Sequence, residues 1–416
     1  VSLNGAFRPP GDKSISHRLA LFSALAEGRA EIENFSRCAD VQSSLAALRL
    51  LGASAESNGD LLVVHGAGGR VARRARIDCG NSGTTMRLLM GILVGRSGEF
   101  ILDGDDSLRR RPMERVAAAL RLMGAQVGCP DGKCPVRIVG GDLRAIEYEL
   151  PAASAQLKSA VILAGLQAEG VTTVNEPVPS RDHTERLLSL MAGNIARTAS
   201  GWRVQPSRLT LPERLRTPGD ASSAAFFLAA AAIVPGSDVI AEGVLLNPTR
   251  IGFVHVLRRM GALVEIQERG DTPEPWGLAR VRWSPDLSAC SVSPHEVPSI
   301  IDEVPILALV ATQARGGTVF EGVGELRVKE SDRLAAISSQ LARLGAKIEA
   351  EGDALVVHGP TPLRSAAKLS SFGDHRIAMT LRLASLLTDG SPAIEGEESV
   401  DISYPGFHAT LRALLK

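Results

Sequence analysis

Apolar and polar positions along this chain follow one recurring plan. Six stretches open with small, capping or charged residues and continue into about ten apolar and small ones. They start at residue 11 ("GDKSISHR"), 80 ("GNSGTTMR"), 153 ("ASAQLKSA"), 219 ("GDASSAAF"), 301 ("IDEVPILA") and 373 ("GDHRIAMT"). Each predicts a helix start followed by a buried helix, because the runs behind them lack a polar face. In the first stretch the helix is expected from Leu19 onward, with Lys13, Ser14, Ser16, His17 and Arg18 just ahead of it. The apolar run "AAFFLAAAAIV" (224–234) is too short to span a bilayer and reads as a buried helix.

Helix ends recur as well. "LRLLGA" (48–53), "LRLMGA" (120–125), "LRRMGA" (257–262) and "LARLGA" (341–346) each place a Gly near C′ before a strand-like run, with a weaker echo in "LSLMAGN" (188–194). Residues 51–66 ("LGASAESNGDLLVVHG") and 344–359 ("LGAKIEAEGDALVVHG") agree at eleven of sixteen positions, a true internal repeat. The reading is six copies of a β-α-β-α-β-β unit, three per domain, in an α/β protein whose interior helices are shared among copies. The seam falls at "PERLRTPGDASS" (212–223). The expected domains are 12–218, and 1–11 with 219–416, the latter closed by the N-terminal strand.

Composition narrows the class. Aromatic residues make up 4% of the 416 and hydrophobic ones 44%, so Ala, Val, Leu and Ile build the core. Lys plus Arg equals Asp plus Glu at 46 each, which excludes a global basic field for nucleic acid; any positive site is local. Five Cys without a Cys-x-x-Cys argue against a disulfide framework or zinc site; Cys129 and Cys134 are near in sequence, but a reducing cytosol is the simpler reading. No apolar run of membrane-spanning length exists, and "VSLNGAFRPPG" has no signal-peptide pattern, so the expected location is the cytoplasm.

The helix starts carry the candidate chemistry. A cation at a helix N-terminus is unfavourable by roughly 0.3–1 kcal/mol unless it faces solvent or an anion. Lys13, Ser14 and Arg18 therefore point to an anion, as do the exposed amides of the small-residue stretch at Gly83, which is not a Walker loop. Arg87 reads by itself as a structural ion pair. In "DDSLRRRPMERV" (105–116), Pro112 is expected at N1, holding Arg111 extended and aimed. In "ELRVKESDRLAAI" (325–337), Lys329, Glu330 and Arg333 are expected within about one helical turn. Asp374, His375 and Arg376 open another helix, and Asp302 and Glu303 are expected at its counterpart's N1–N3. An acid there could take a proton from a substrate hydroxyl. No dinucleotide fingerprint, G-x-S-x-G elbow or metal-spaced His cluster is present; His65 and His358 hold equivalent repeat positions and read as structural.

These motifs, together with "RRRPM", "SAQLKSAVILAGL", "SRDHTERLL" and "LRVKESDRL", occur in the order found in the EPSP synthase (3-phosphoshikimate 1-carboxyvinyltransferase) family and resemble its divergent class II bacterial branch. The resemblance implies the two-domain enolpyruvyl transferase fold, closing like a clamshell. It implies transfer of the enolpyruvyl group of phosphoenolpyruvate to the 5-hydroxyl of shikimate 3-phosphate. No metal or organic cofactor, nucleic acid or membrane is implied, and a monomer is expected. By resemblance Asp302 is the base for the hydroxyl, and Glu330, with Lys13, moves the proton at the methylene carbon. Lys13, Arg111, Arg333, Arg376 and the Gly83 backbone hold phosphoenolpyruvate. Ser14, Arg18, Ser154, Gln156, Ser180, Asp302 and Lys329 hold shikimate 3-phosphate.

Two positions depart from the family pattern. Ala155 replaces the second Ser of a Ser-Ser-Gln, and "DISYPGF" (401–407) has Ile402 and no Lys, so one cation for phosphoenolpyruvate is missing or replaced. Gly83 is kept where glyphosate-tolerant members carry Ala, which implies sensitivity to that herbicide. The alternatives are the sister transferase acting on UDP-N-acetylglucosamine and a non-catalytic anion-binding homologue. The first is disfavoured by Ser14, where it has Asn, and by the lack of Cys in 103–111.

Overall fold

A computed structural model describes residues 1–58 and 61–416; Gly59 and Asp60, two of the matched positions in the internal repeat, lie outside the described residues. The chain separates into two compact units, one of Gly11–Thr217 and the other of Val1–Pro10 with Pro218–Lys416.

The Gly11–Thr217 unit holds three four-stranded sheets of one plan, in which an outer strand runs parallel to the second and two antiparallel strands follow. In spatial order they are Arg214–Arg216, Arg29–Glu33, Leu61–His65 and Ser54–Asn58; then Arg74–Asp78, Gly98–Asp103, Val136–Gly140 and Gln126–Gly128; then Glu147–Glu149, Thr172–Asn175, Gly201–Val204 and Ile195–Arg197. Its helices are α1 (Lys13–Phe22), α2 (Ala39–Leu50), α3 (Gly83–Leu93), α4 (Asp106–Arg110), α5 (Glu114–Leu122), α6 (Ala155–Gly165) and α7 (His183–Leu190). Most of α1, α3 and α6 is buried, and these are three of the apolar runs noted above. The α3 and α6 backbones approach closely at Gly91, where a Cβ would lie 2.3 Å from the Ala160 carbonyl oxygen.

The other unit repeats the plan twice in full. Asn4–Phe7 runs parallel to Asp238–Leu245, which is followed across the sheet by Trp276–Arg282 and Leu263–Gly270. Ser291–Val292, Gly316–Phe320, Ala354–Gly359 and Lys347–Glu351 form the second sheet. The sixth copy is shorter than the expected β-α-β-α-β-β: its sheet is the parallel pair Lys368–Ser370 and Ala393–Glu395, followed by a 3-10 turn (Glu397–Ile402). The helices here are α8 (Ala221–Ile233), α9 (Gly252–Arg259), α10 (Val297–Ile300), α11 (Val304–Ala311), α12 (Arg333–Arg343), α13 (His375–Ala384) and α14 (Phe407–Leu414). Every residue of α8 and α11 is buried. Phe227 of α8 stacks on Phe407 and meets Phe7 and Tyr404 edge-on, tying the N-terminal strand and the C-terminal helix to the core.

The recurring Leu-x-x-x-Gly-Ala ends have a common geometry. Gly52, Gly124, Gly261 and Gly345 have φ of 89°, 94°, 92° and 94°, the left-handed C′ conformation. In three of them the Ala amide reaches back to the carbonyl five residues earlier: Ala125 to Leu120, Ala262 to Leu257 and Ala346 to Leu341. That six-to-one bond satisfies an orphan carbonyl and fixes the turn into the next strand. The echo in 188–194 keeps the bond (Gly193 to Leu188) but places Ala192 at C′ with φ 62°. His65 and His358 are exposed on equivalent strands, and the five cysteines are free thiols.

Candidate active site

In the Gly11–Thr217 unit, α1 begins earlier than the apolar pattern suggests. Asp12 caps it by accepting from the Ile15 amide at 2.9 Å, and Lys13 is its first residue. Lys13 through Arg18 therefore lie on the helix rather than ahead of it. The anion beside Lys13 is Asp40, whose carboxylate sits 2.9 Å away in the first turn of α2. Arg18 is buried; its guanidinium donates to Thr184 Oγ1 (2.7 Å), Ser159 Oγ (3.0 Å) and the Ser14 carbonyl (3.0 Å), so α6 and α7 aim it. Between Lys13 and Arg18, His17 is fully enclosed and contacts Ser44 Oγ through Nδ1 at 2.8 Å. Burial, then the charges of Lys13 and Arg18, push its pKa well below the usual imidazole range.

At the start of α3, Ser82 accepts from the Thr85 amide and leaves Gly83 as the first helical residue. A Cβ on Gly83 would lie 2.7 Å from Arg87 Nη1 and 3.3 Å from Arg111 Nη1, so two guanidiniums converge on this glycine. Arg87 makes hydrogen bonds to an amide and a carbonyl: it donates to Gln156 Oε1 (2.6 Å) and the Pro112 carbonyl (2.9 Å), while Gln156 donates to Thr84 Oγ1 (2.9 Å). Arg111 is extended, with ψ 144°, and donates to Asn81 Oδ1 at 2.8 Å. Pro112 is not at N1, because Met113 is the N-cap of α5 and Pro112 lies one residue further out. Ser154 is the N-cap of α6. Ser180 is buried and hydrogen-bonded through both amide and hydroxyl to Glu176 Oε2. Lys158, inside α6, pairs with Glu176 (3.0 Å) and Glu185 (2.9 Å). Burial pushes the Glu185 carboxyl up, against the pull of Lys158.

In the other unit the acids gather on one cation. Arg333, 1% exposed, donates from Nε to Asp374 Oδ2 (2.8 Å), from Nη1 to Asp302 Oδ1 (3.1 Å) and from Nη2 to Glu330 Oε2 (2.5 Å). Its pKa is raised: burial opposes the charge, but Asp374, Glu330 and Asp302 outweigh burial. Arg376 Nε lies 3.5 Å from Asp302 Oδ1. Asp374, with no exposed surface, caps α13 by accepting from the Arg376 amide (2.9 Å) and also takes Ser331 Oγ (3.1 Å). Asp302 and Glu303 are not at N1–N3. Glu303 is the N-cap of α11 and Asp302 precedes it, with its carboxylate at Arg333 and Arg376. Nor do Lys329 and Glu330 share a helical turn with Arg333. A 3-10 turn ends at Val328, and α12 begins at Arg333 behind the Asp332 cap. The half-buried Lys329 stands in this link, and Ile402 ends the Glu397–Ile402 turn.

Asp40, Asn81, Lys158 and Glu176 are not singled out by the sequence; Asp374 is, as a residue at a helix start, but not as the partner of Arg333. Of those four, Lys158 alone had a visible signal, as a single charge inside the apolar run of α6. No cluster of three His, Cys, Asp or Glu suited to a metal occurs among the described residues.

Repeated sheet–helix units around buried helices, several with cations or acids at helix starts, define the enolpyruvyl transferase fold. The enolpyruvyl transferase NikO of Streptomyces tendae shares it at a TM-score of 0.80 with 18% identity, over 99% of this chain and 95% of that one. Within that fold the chain belongs to the EPSP synthase (3-phosphoshikimate 1-carboxyvinyltransferase) family, whose profile matches residues 1–411. The 3-phosphoshikimate 1-carboxyvinyltransferase of Bacillus licheniformis is 46% identical over 99% of this chain and 97% of its own length. That of Bacillus subtilis is 43% identical over 100% and 98%. The EPSP synthase structure from Acinetobacter baumannii superposes with a TM-score of 0.87 at 39% identity, covering 99% and 96%.

Proposed function

We propose that Asp302, Glu330 and Lys13 carry the proton transfers of the family's reaction in this chain. That reaction moves the enolpyruvyl group of phosphoenolpyruvate to the 5-hydroxyl of shikimate 3-phosphate and releases inorganic phosphate, in the shikimate pathway to aromatic amino acids. The chain is an enzyme of this kind: the full-length family match and relatives at 43–46% identity favour it over a UDP-N-acetylglucosamine-directed transferase.

The chemistry has two halves. The 5-hydroxyl oxygen adds to C2 of phosphoenolpyruvate while a proton reaches its methylene carbon. The C2–O bond to phosphate then breaks as a proton leaves the new methyl group. Asp302 takes the hydroxyl proton, and Glu330, with Lys13, serves the methylene carbon. The observation that supports this most is the shared guanidinium. Arg333 binds Asp302 and Glu330 through separate nitrogens, which fixes the two acids relative to each other. Arg333, Arg376, Lys13, Arg111 and the Gly83 amide hold phosphoenolpyruvate and the departing phosphate. Arg18, Ser14, Ser154, Gln156, Ser180 and Lys329 hold shikimate 3-phosphate, with Asp302 at its hydroxyl. We read the protein as a cytoplasmic monomer whose partners are these two small molecules, with no nucleic-acid or membrane partner; no helix among the described residues is long and apolar enough to cross a membrane.

Phosphate release with both substrates, with each omitted, and with UDP-N-acetylglucosamine as acceptor tests the reaction; release only with the nucleotide sugar would overturn it. Asp302→Ala should abolish turnover while shikimate 3-phosphate still binds, which also separates an enzyme from an anion-binding homologue. Undiminished turnover in that variant would remove Asp302 from its role.

A further inference from the structure

The Lys158 ion cluster lies outside the proton-transfer chemistry, yet one of its members grips a residue assigned to substrate. Lys158 and Glu185 have fully enclosed side chains, and Lys158 Nζ is 3.0 Å from each oxygen of Glu176 and 2.9 Å from Glu185 Oε1. Glu176 Oε1 also accepts from Trp202 Nε1 at 3.3 Å. Its other oxygen accepts two bonds from one residue, Ser180, through the amide at 3.0 Å and the hydroxyl at 2.9 Å. The intervening segment is "PVP", and its two prolines have no N–H to offer a backbone ladder. A carboxylate that takes both donors of a residue four positions ahead replaces that missing ladder and fixes the segment's end.

We infer that Glu176 is a positioning residue for Ser180, fixing the hydroxyl oxygen of that serine for shikimate 3-phosphate; the inference rests on the reading that Ser180 binds that substrate. Lys158 is the counter-ion that keeps the carboxylate in place. Because Lys158 also pairs with Glu185, loss of the Glu176 charge leaves no bare cation in the core.

The test is a double-mutant cycle with Ser180→Ala and Glu176→Gln, read as steady-state KM for each substrate and kcat. Gln has one acceptor oxygen and no charge, so it cannot accept from Lys158 and from both Ser180 donors as the carboxylate does, and the KM for shikimate 3-phosphate should rise about tenfold. Both kcat and the KM for phosphoenolpyruvate should stay within about twofold, because the loss is confined to binding of one substrate. The double variant should be no worse than the more impaired single variant, since both act through the same hydroxyl. Glu176→Asp keeps the charge beside Lys158 but withdraws the carboxylate from Ser180, and should reproduce the KM effect; it carries the test if Glu176→Gln does not fold. If Ser180→Ala raises this KM while neither Glu176 variant does, or if the effects multiply, the positioning role is overturned and the reading of Ser180 survives. If Ser180→Ala leaves the KM unchanged, the reading of Ser180 falls and the inference falls with it.

Discussion

Arg333→Met removes the cation on which three carboxylates converge while roughly keeping side-chain length. The three acids do not respond alike. Asp302 retains Arg376 nearby, and the Asp302 and Glu330 side chains are 14% and 18% exposed, so water can partly take over. Asp374 has no exposed surface and keeps, among the described residues, only Ser331 Oγ and the Arg376 amide. Its stranded charge dominates, at about 3–5 kcal/mol for a broken buried pair. In a unit of about two hundred residues that corresponds to a Tm lower by roughly 6–20 °C. Calorimetry with urea unfolding as a second probe measures it, and the double variant Arg333→Met/Asp374→Asn should recover more than half of the loss. A cost for Arg333→Met below about 1 kcal/mol, or a further loss on adding Asp374→Asn, would refute the assignment of Asp374 as a buried dependent charge.

Other expectations follow from single contacts. His17 has a lowered pKa in the folded state, and its enclosed Nε2 has no partner among the described residues. The folded protein therefore binds fewer protons than the unfolded one below the ordinary imidazole value. Stability from this site is full above pH 6.5 and is lost as pH falls, with a slope of at most about 1.4 kcal/mol per pH unit. Urea midpoints from pH 7 to 5 should fall less steeply in His17→Asn; parallel curves would exclude the effect. Gly83→Ala should push Arg87 and Arg111 apart, raise the KM for phosphoenolpyruvate and weaken inhibition by glyphosate, which should compete with phosphoenolpyruvate in the unaltered protein; an unchanged inhibition constant counts against the contact. Ala192→Gly should stabilise by about 0.5–1 kcal/mol, because Ala192 occupies the left-handed C′ position that four sister helices fill with Gly. A lower Tm would show that local packing outweighs the backbone term.

By itself the sequence determined the α/β class, the buried helices and their ends. These are local properties: apolar runs without a polar face have to be enclosed, and Leu-x-x-x-Gly-Ala writes a six-to-one bond into neighbouring residues. It also marked most cations and acids that the structure sets at helix starts, because a charge at a capped N-terminus is unusual on local grounds. Helix beginnings are less legible. The apolar pattern begins α1 at Leu19 although the Asp12 cap lies seven residues earlier, and it sets Lys329 and Glu330 within a turn of a helix that the Asp332 cap starts only at Arg333. Tertiary structure alone decided the partners. Asp40 faces Lys13 across 27 residues, Asp374 faces Arg333 across 41, and Thr184 faces Arg18 across 166. An ion pair or hydrogen bond between distant positions leaves no periodicity behind, since any acid or hydroxyl of suitable reach satisfies it; only the packing of buried helices selects which one arrives.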